Sequence, residues 1–434
     1  MTQNTMQSFF RRSAPLTGLL IFCAATAVIA APRQPLQVRA EYNSKLEDSP
    51  KAIVDEVWQT VDREFVDPTF NKQNWLEARS QLLNRDYKNK EEAYAAIRTS
   101  LKILGDPYTR FLDPREFQAL RDQTSGELVG VGIQLGLSPV NKQPMVLRTL
   151  EDSPASRSGI QAKDELVAVD GKPTAKLELA DVSRMIRGDR DTQVTLSVLR
   201  DGQKLNFTIT RAPIELKVVT SSLKEENGRK VGYIRLQEFS EKAPGEMRKA
   251  ISDLSDKGAQ GLVLDLRGNP GGLLDAAANI ADLLLARGTI VSTVDRAGTQ
   301  DKLLSDQHPI TALPLVVLVD QNSASASEIL AGALKDNRRA TLVGTKTFGK
   351  GVIQQVNSLS DGSGVNVTIA HYLTPAGNDI HKKGIVPDVL SMFPEEARKN
   401  PVDPASSGDV QYQKAITVLA RVIDGKPAVE TASK

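Results

Sequence analysis

The chain reads as a multidomain α/β protein, and three observations carry that reading. Two short, mostly apolar runs, Gly261-Leu-Val-Leu-Asp-Leu266 and Leu315–Val319, have the length and composition of strands buried on both faces, and each is followed by a helical pattern. Strand-then-helix order of this kind points to a parallel sheet with helices on its faces. Ahead of it, 49 to about 120 has helical periodicity, and about 127–213 changes to glycine-punctuated short strands. The expected division is a leader at 1–40, a helical module at 41–120, a small strand-rich domain at 121–213, an α/β core at 214–395, and a linker with one helix at 396–434.

Taken in order, Arg11-Arg12 precede an uncharged, mostly apolar run from Ala14 to Ala31, followed by Pro32, the layout of an export signal. Cleavage near Ala30-Ala31 or after Val38-Arg-Ala40 is compatible with it, and a retained N-terminal anchor is the alternative. Cys23, the sole cysteine, lies inside this run. Its removal with the leader excludes thiol catalysis, disulfides and thiolate metal sites. Ser49-Pro50 reads as an N-cap with proline in the first turn, and Val54, Val57, Trp58, Val61 and Phe65 form one apolar stripe. Further helices are expected at Trp75–Leu83 and Glu91–Leu104, in a packing module or a dimer interface. A last amphipathic helix is expected at Val410–Ile423.

The composition is that of an ordinary globular chain: 434 residues, 40% hydrophobic, 25% charged, with a formal charge of +2. That balance offers nothing to a polyanion, so no nucleic-acid partner is expected. Neither H-E-x-x-H nor a paired-histidine spacing occurs, so no metal and no cofactor is expected.

The chemistry concentrates between Leu315 and Gln355. After the strand comes Gln321-Asn-Ser-Ala-Ser-Ala-Ser-Glu328, a turn and helix start, then the apolar face Ile329–Leu334 and a charged end at Asp336 to Arg339. A serine at a helix N-terminus has free backbone N–H groups beside it, suited to holding the oxyanion of acyl transfer. It needs a base. Lys350, between Gly349 and Gly351, can serve if burial brings its pKa from about 10.4 toward about 7, a shift worth roughly 4 kcal/mol. Ser323, Ser325 and Ser327 could instead be only a cap cluster. Of the histidines, His308, His371 and His381, a Ser-His-Asp arrangement would have to use His371 or His381. Gly344-Thr-Lys-Thr-Phe-Gly-Lys-Gly351 also approaches the phosphate loop G-x-x-x-x-G-K-[ST]. Its last position lacks the hydroxyl, however, and Val352-Ile-Gln-Gln-Val356 is strand-like where a helix is required, so nucleotide binding ranks below acyl transfer.

These segments resemble the C-terminal processing (tail-specific) serine peptidases. The likeness runs through Asn322–Ile329, Gly344–Gly351 and Gln354, and extends to Leu266-Arg-Gly-Asn-Pro-Gly-Gly272, Thr374–Gly377 and Gly384–Asp388. It implies a crotonase-like peptidase core with Ser325 as nucleophile, Lys350 twenty-five positions on as general base, and Gln354 orienting the amine. The implied oxyanion donors are the backbone N–H groups of Ala326 and of a glycine in Gly268–Gly272, taken as Gly271. An aspartate partner described for some members would fall at Asp336, about 16 Å of helix rise from the nucleophile and therefore out of contact.

Between Glu127 and Pro213, Gly130-Val-Gly-Ile133, Ser153–Ile160 and Asp164–Gly171 resemble a PDZ domain. The resemblance implies a carboxylate-binding loop at Gly130, Val131, Gly132 and Ile133, faced by a helix at Ala180–Arg187 with Val182 and Ile186 lining the groove and Arg187 at its end. Implied partners are unstructured C-terminal tails of proteins, with a homo-oligomer possible and membrane contact only through an uncleaved leader or membrane-protein substrates. Trp58, Asp62, Phe65-Val66-Asp67 and Asp106-Pro-Tyr-Thr-Arg-Phe-Leu112 are similar to the cyanobacterial and chloroplast branch. That likeness implies export to the thylakoid lumen or periplasm and, as one substrate, the precursor tail of the photosystem II reaction-centre protein. A non-catalytic PDZ adaptor keeping the fold is the alternative from another class.

Overall fold

The computed structural model describes residues 49–305, 309–393 and 402–428. The expected leader with Cys23, and His308, lie outside them. All described residues belong to one compact unit, Glu47–Lys434.

The chain enters through α1 (Pro50–Glu64), α2 (Trp75–Asn84) and α3 (Lys90–Leu101), the last continued by a short 3₁₀ turn to Leu104. Ser49 caps α1 as its sequence predicts, its side chain accepting from Lys51 N–H. Ile53, Val54, Val57 and Val61 of α1 pack with Trp75, Tyr94 and Ile97 against Val365 and Val367 of the core, so the module's apolar stripe is buried within this chain. Strand β1 (Arg110–Leu112) and α4 (Pro114–Ser125) follow, and α4 reaches five residues past the expected boundary.

Then come β2 (Glu127–Gly130), β3 (Ile133–Leu137), β4 (Pro144–Thr149), α5 (Pro154–Arg157), β5 (Glu165–Val169), β6 (Lys172–Pro173), α6 (Leu179–Ile186), β7 (Gln193–Arg200), β8 (Gln203–Thr210) and β9 (Ala212–Glu215). Strands β3, β4, β5, β7 and β8 form one antiparallel sheet, with β6 paired to β5. The entering and leaving segments pair with each other, Glu127↔Glu215 through Gly130↔Ala212, as a two-stranded ribbon. A ribbon constrains the small domain more than a single loop would.

The core contains β10 (Val219–Glu226), β11 (Arg229–Leu236), α7 (Ala243–Asp256), β12 (Gly261–Asp265), α8 (Leu274–Leu284), β13 (Gly288–Asp295), β14 (Gln300–Ser305), β15 (Leu315–Val319), α9 (Ala326–Asp336), β16 (Thr341–Gly344), β17 (Val352–Ser358), β18 (Gly364–Leu373) and β19 (Val389–Leu390). One sheet runs β10-β11-β12-β15-β16-β19, antiparallel at β10/β11 and parallel from there on. The predicted central strands β12 and β15 are adjacent, Leu264 opposite Val317, and every residue of both is buried. A second sheet, β1-β18-β13-β14 with β17 on β18, joins the helical module to the core. The helix α10 (Val410–Ile423) has the predicted bounds and covers the other face of the parallel sheet through Tyr412, Ile416 and Leu419.

Candidate active site

Strand β15 ends at Asp320, and the turn that follows is built by its carboxylate. Asp320 Oδ1 accepts from Gly268 N–H (3.0 Å), Asn322 N–H (3.0 Å) and Ser323 N–H (3.1 Å). Ser323 is fully buried and donates its hydroxyl to Leu266 O at 2.8 Å; Ser327, also fully buried, donates to Asn269 O at 2.9 Å. The two outer serines therefore fasten the turn to the Leu266–Gly272 loop. Ser325, half-buried between them, opens α9 in a capping box with Glu328.

Ser325 is the N-cap of α9 with φ 54°, ψ −116°, a conformation that costs a non-glycine residue about 1–3 kcal/mol. Its peptide groups are held from both sides. Tyr372 Oη donates to Ser325 O at 3.2 Å, and Ser325 N–H donates to Glu328 Oε2 at 3.0 Å. Gly271 lies against the same turn: a Cβ there would fall 2.8 Å from Ala324 O and 2.9 Å from Ser325 Cβ, so only glycine fits.

Glu328 is the residue that sequence reasoning passed over. Fully buried, it accepts from Ser325 N–H, from Lys350 N–H (2.9 Å), from Gly349 N–H (2.8 Å) and from the Thr347 hydroxyl (2.5 Å). One carboxylate thus ties the turn bearing Ser325 to the loop bearing Lys350. The signal was present as Ser325-x-x-Glu328, the spacing of a capping box.

Lys350 has its pKa lowered, chiefly by burial and further by the Arg110 charge, against the opposing pull of Asp106 and Glu328. Its Nζ lies 4.9 Å from the centroid of the Tyr108 ring and makes no hydrogen bond among the described residues. Gln354 does not reach it. The β17–β18 register shifts between Ile353 and Gln354, and the Gln354 amide donates instead to Thr368 Oγ1 at 3.4 Å. The expected role of Gln354 as orienter of the amine thus has no direct hydrogen bond to Lys350 Nζ among the described residues to support it.

Of the two expected oxyanion donors, Ala326 N–H has no partner among the described residues. Gly271 N–H is engaged, donating to Asn269 Oδ1 at 2.9 Å. To receive an oxyanion, Gly271 must share or release that bond. Asn269, fully buried, anchors the loop through its amide to Leu236 O.

Behind the loop sits a charged network. Arg267 pairs with Asp265 (2.6 Å) and Asp409 (2.7 Å), and Tyr233 Oη donates to Asp265 at 2.7 Å. Burial opposes the guanidinium charge, but the two carboxylates outweigh it and raise its pKa. Asp409 is also the N-cap of α10.

His371 and His381 stand edge to face, 5.9 Å between ring centroids, and neither bonds to Ser325. Asp336 accepts from Ala376 N–H at the far end of α9, out of contact with Ser325 as its position along the helix requires. The Gly344–Gly351 loop leads into strand β17, where a phosphate loop would need a helix.

In the small domain a cavity of about 320 Å³ is lined by Gly130, Val131, Gly132 and Ile133, by Ile186 and Arg187, and by Ile214 of β9. Val182 is not part of it. This side chain is fully buried in the domain core beside Leu166 and Leu196, one helical turn from Ile186 but facing inward.

The fold and site define an α/β serine hydrolase carrying a PDZ domain. The family model "Peptidase family S41" matches residues 230–391, and that for the PDZ domain matches 145–200. The chain is 45% identical over 386 residues to the carboxyl-terminal-processing protease of Synechocystis sp., covering 87% of this chain and 90% of that protein. It is 41% identical over 350 residues to the chloroplastic C-terminal processing peptidase of Tetradesmus obliquus, covering 77% and 75%. Among solved structures it is similar to a photosystem II D1 C-terminal processing protease, with TM-score 0.53 and 40% identity, over 79% of this chain and 93% of that one. The chain belongs to peptidase family S41, and is a serine peptidase of the C-terminal-processing group.

Proposed function

We propose that Ser325 and Lys350 form the catalytic dyad of this peptidase. The observation that carries the assignment is the Glu328 carboxylate, which holds the Ser325 and Lys350 backbones 3.0 and 2.9 Å from one oxygen. The free amine of Lys350 takes the Ser325 hydroxyl proton as Oγ attacks the scissile carbonyl carbon. The oxyanion is met by Ala326 N–H at the helix start and by the Gly271 loop. Collapse breaks the C–N bond, the ammonium returns its proton to the leaving amine, and a water deprotonated by the same lysine then hydrolyses the ester. A base that must be neutral gains from burial, which shifts the ammonium equilibrium toward the amine.

The substrate reading follows from the PDZ cavity: a protein tail whose carboxylate enters the loop Gly130 to Ile133 and whose chain lies along β3. By analogy with its named relatives, the D1 precursor tail of photosystem II is the proposed substrate, and the thylakoid lumen or periplasm the proposed compartment. Among the described residues no helix is long and apolar enough to cross a membrane.

The test is cleavage of a D1-type tail peptide with a free C-terminus. Ser325→Ala and Lys350→Ala are expected to fold and to lose at least about 10³-fold of turnover. Activity surviving in Lys350→Ala but lost in His371→Ala or His381→Ala would move the base to a histidine.

A further inference from the structure

The segment Asp106-Pro-Tyr-Thr-Arg-Phe-Leu112 belongs to the helical module, yet it ends against the lysine. Asp106 builds its turn, accepting from Tyr108 N–H (3.0 Å), Thr109 N–H (3.1 Å) and the Thr109 hydroxyl (2.7 Å). Thr109, buried, accepts from Thr368 N–H at 3.0 Å, and Arg110 pairs with Asn366 across β1/β18. Phe111 is locked against Tyr94 with ring centroids 4.8 Å apart. Tyr108 is therefore held through its own N–H and through Thr109. Its ring is the group the Lys350 nitrogen faces, at 4.9 Å, and its phenol lies within electrostatic reach of Glu328 and of Tyr372, the two residues that hold Ser325.

We propose that Tyr108 is a positioning residue of the active site: its ring face holds the Lys350 head and closes the lysine's pocket to water, so the helical module supplies one wall of the catalytic centre. This rests on Lys350 being the base. The ring has two effects of opposite sign. Its face attracts the ammonium, and its bulk keeps water from the amine. Burial is the largest influence on Lys350, so exclusion of water dominates. Removing the ring then hydrates the ammonium and makes deprotonation harder. The other charged groups around the lysine are Asp106 and Arg110 on the same segment and Glu328 on α9. His381 also packs near Gly351, with its pKa lowered by burial.

The experiment is the pH dependence of kcat/KM on a tail peptide, in a His381→Asn background so that the acid limb belongs to the lysine. Tyr108→Ala is expected to move that limb up by on the order of one pH unit, which reads as about tenfold lower activity below it, with recovery at high pH. Tyr108→Phe keeps the ring and is expected to leave the limb in place. If Tyr108→Ala loses its fold by circular dichroism, Tyr108→Gln carries the same expectation. A limb that stays where it is in the ring-less variant, whatever the rate, overturns the proposal. Should Lys350→Ala retain activity, it is the dyad assignment that fails instead, so the two failures are distinguishable.

Discussion

Replacing Glu328 by glutamine tests whether one carboxylate aligns both halves of the site. In the native protein Oε2 serves Ser325 N–H and Lys350 N–H, and Oε1 serves Gly349 N–H and the Thr347 hydroxyl. Glutamine offers one oxygen and one NH₂. The amide nitrogen will take the Oε1 end, because the Thr347 hydroxyl can turn and accept where a backbone N–H cannot. Gly349 N–H is then left without an acceptor in a buried place, costing about 1–3 kcal/mol, and the remaining two bonds lose their charge assistance at roughly 0.5–1.5 kcal/mol each. The sum is on the order of 3 kcal/mol. For a unit of this size that lowers Tm by about 3–4 °C. If about 2 kcal/mol of it is spent on the alignment of Ser325 with Lys350, kcat falls about 30-fold. The assay is calorimetry beside steady-state cleavage of a tail peptide, with KM expected within about threefold of wild type. A variant whose kcat stays within twofold, at any Tm, would show that Glu328 is only a core group and that the dyad does not depend on it.

Three further outcomes are expected. Ser327→Ala removes one of the two bonds to Asn269 O and should cost about 0.5–1.5 kcal/mol of stability, whereas Ser323→Ala also leaves Asp320 N–H without its acceptor and should cost about 1–3 kcal/mol; each should lower kcat less than tenfold, against complete loss in Ser325→Ala; an acylating inhibitor mapped to Ser327 would refute this. For Asp409, burial raises the pKa, but the Arg267 hydrogen bonds and charge outweigh it and leave the value below the ordinary 3.8. Its contribution to stability is thus complete above about pH 4 and lost as pH falls through the depressed value. Asp409→Asn should cost about 3–5 kcal/mol at pH 7 and flatten the acid limb of the denaturation curve, and an unchanged limb would exclude Asp409 from it. Arg187 and Ile214 line the same groove, and Ile214 lies on the ribbon that joins the two domains, so Arg187→Ala should lower maximal turnover of tailed substrates about fivefold or more; a change in apparent affinity alone would make the PDZ domain a simple tether.

What could be read from the sequence divides by the range of the signal. The start of α1 at Ser49-Pro50, the bounds of α10, and strands β12 and β15 all rest on residues within a few positions of one another, and their periodicity or caps survive in the fold. The Ser325 and Lys350 segments were legible for the same reason. The rest needed distance. Gln354 is four positions from Lys350, but its amide bonds Thr368 on the neighbouring strand beside a register shift, and register is set by the partner strand. Val182 and Ile186 are one turn apart, and only the packing of α6 on its sheet sends the first inward and the second to the groove. Arg267 is closed by Asp409, 142 positions later, and Lys350 faces Tyr108 from another module. These remote partners share a consequence. Each joins the dyad or its loop to an element that by its own pattern looks like packing, the helical module in one case and the C-terminal helix in the other. On the proposed dyad and the proposed role of Tyr108, the catalytic unit extends beyond residues 230–391, the stretch matched by the peptidase family model, and a fragment cut to that stretch would lack both Tyr108 and Asp409.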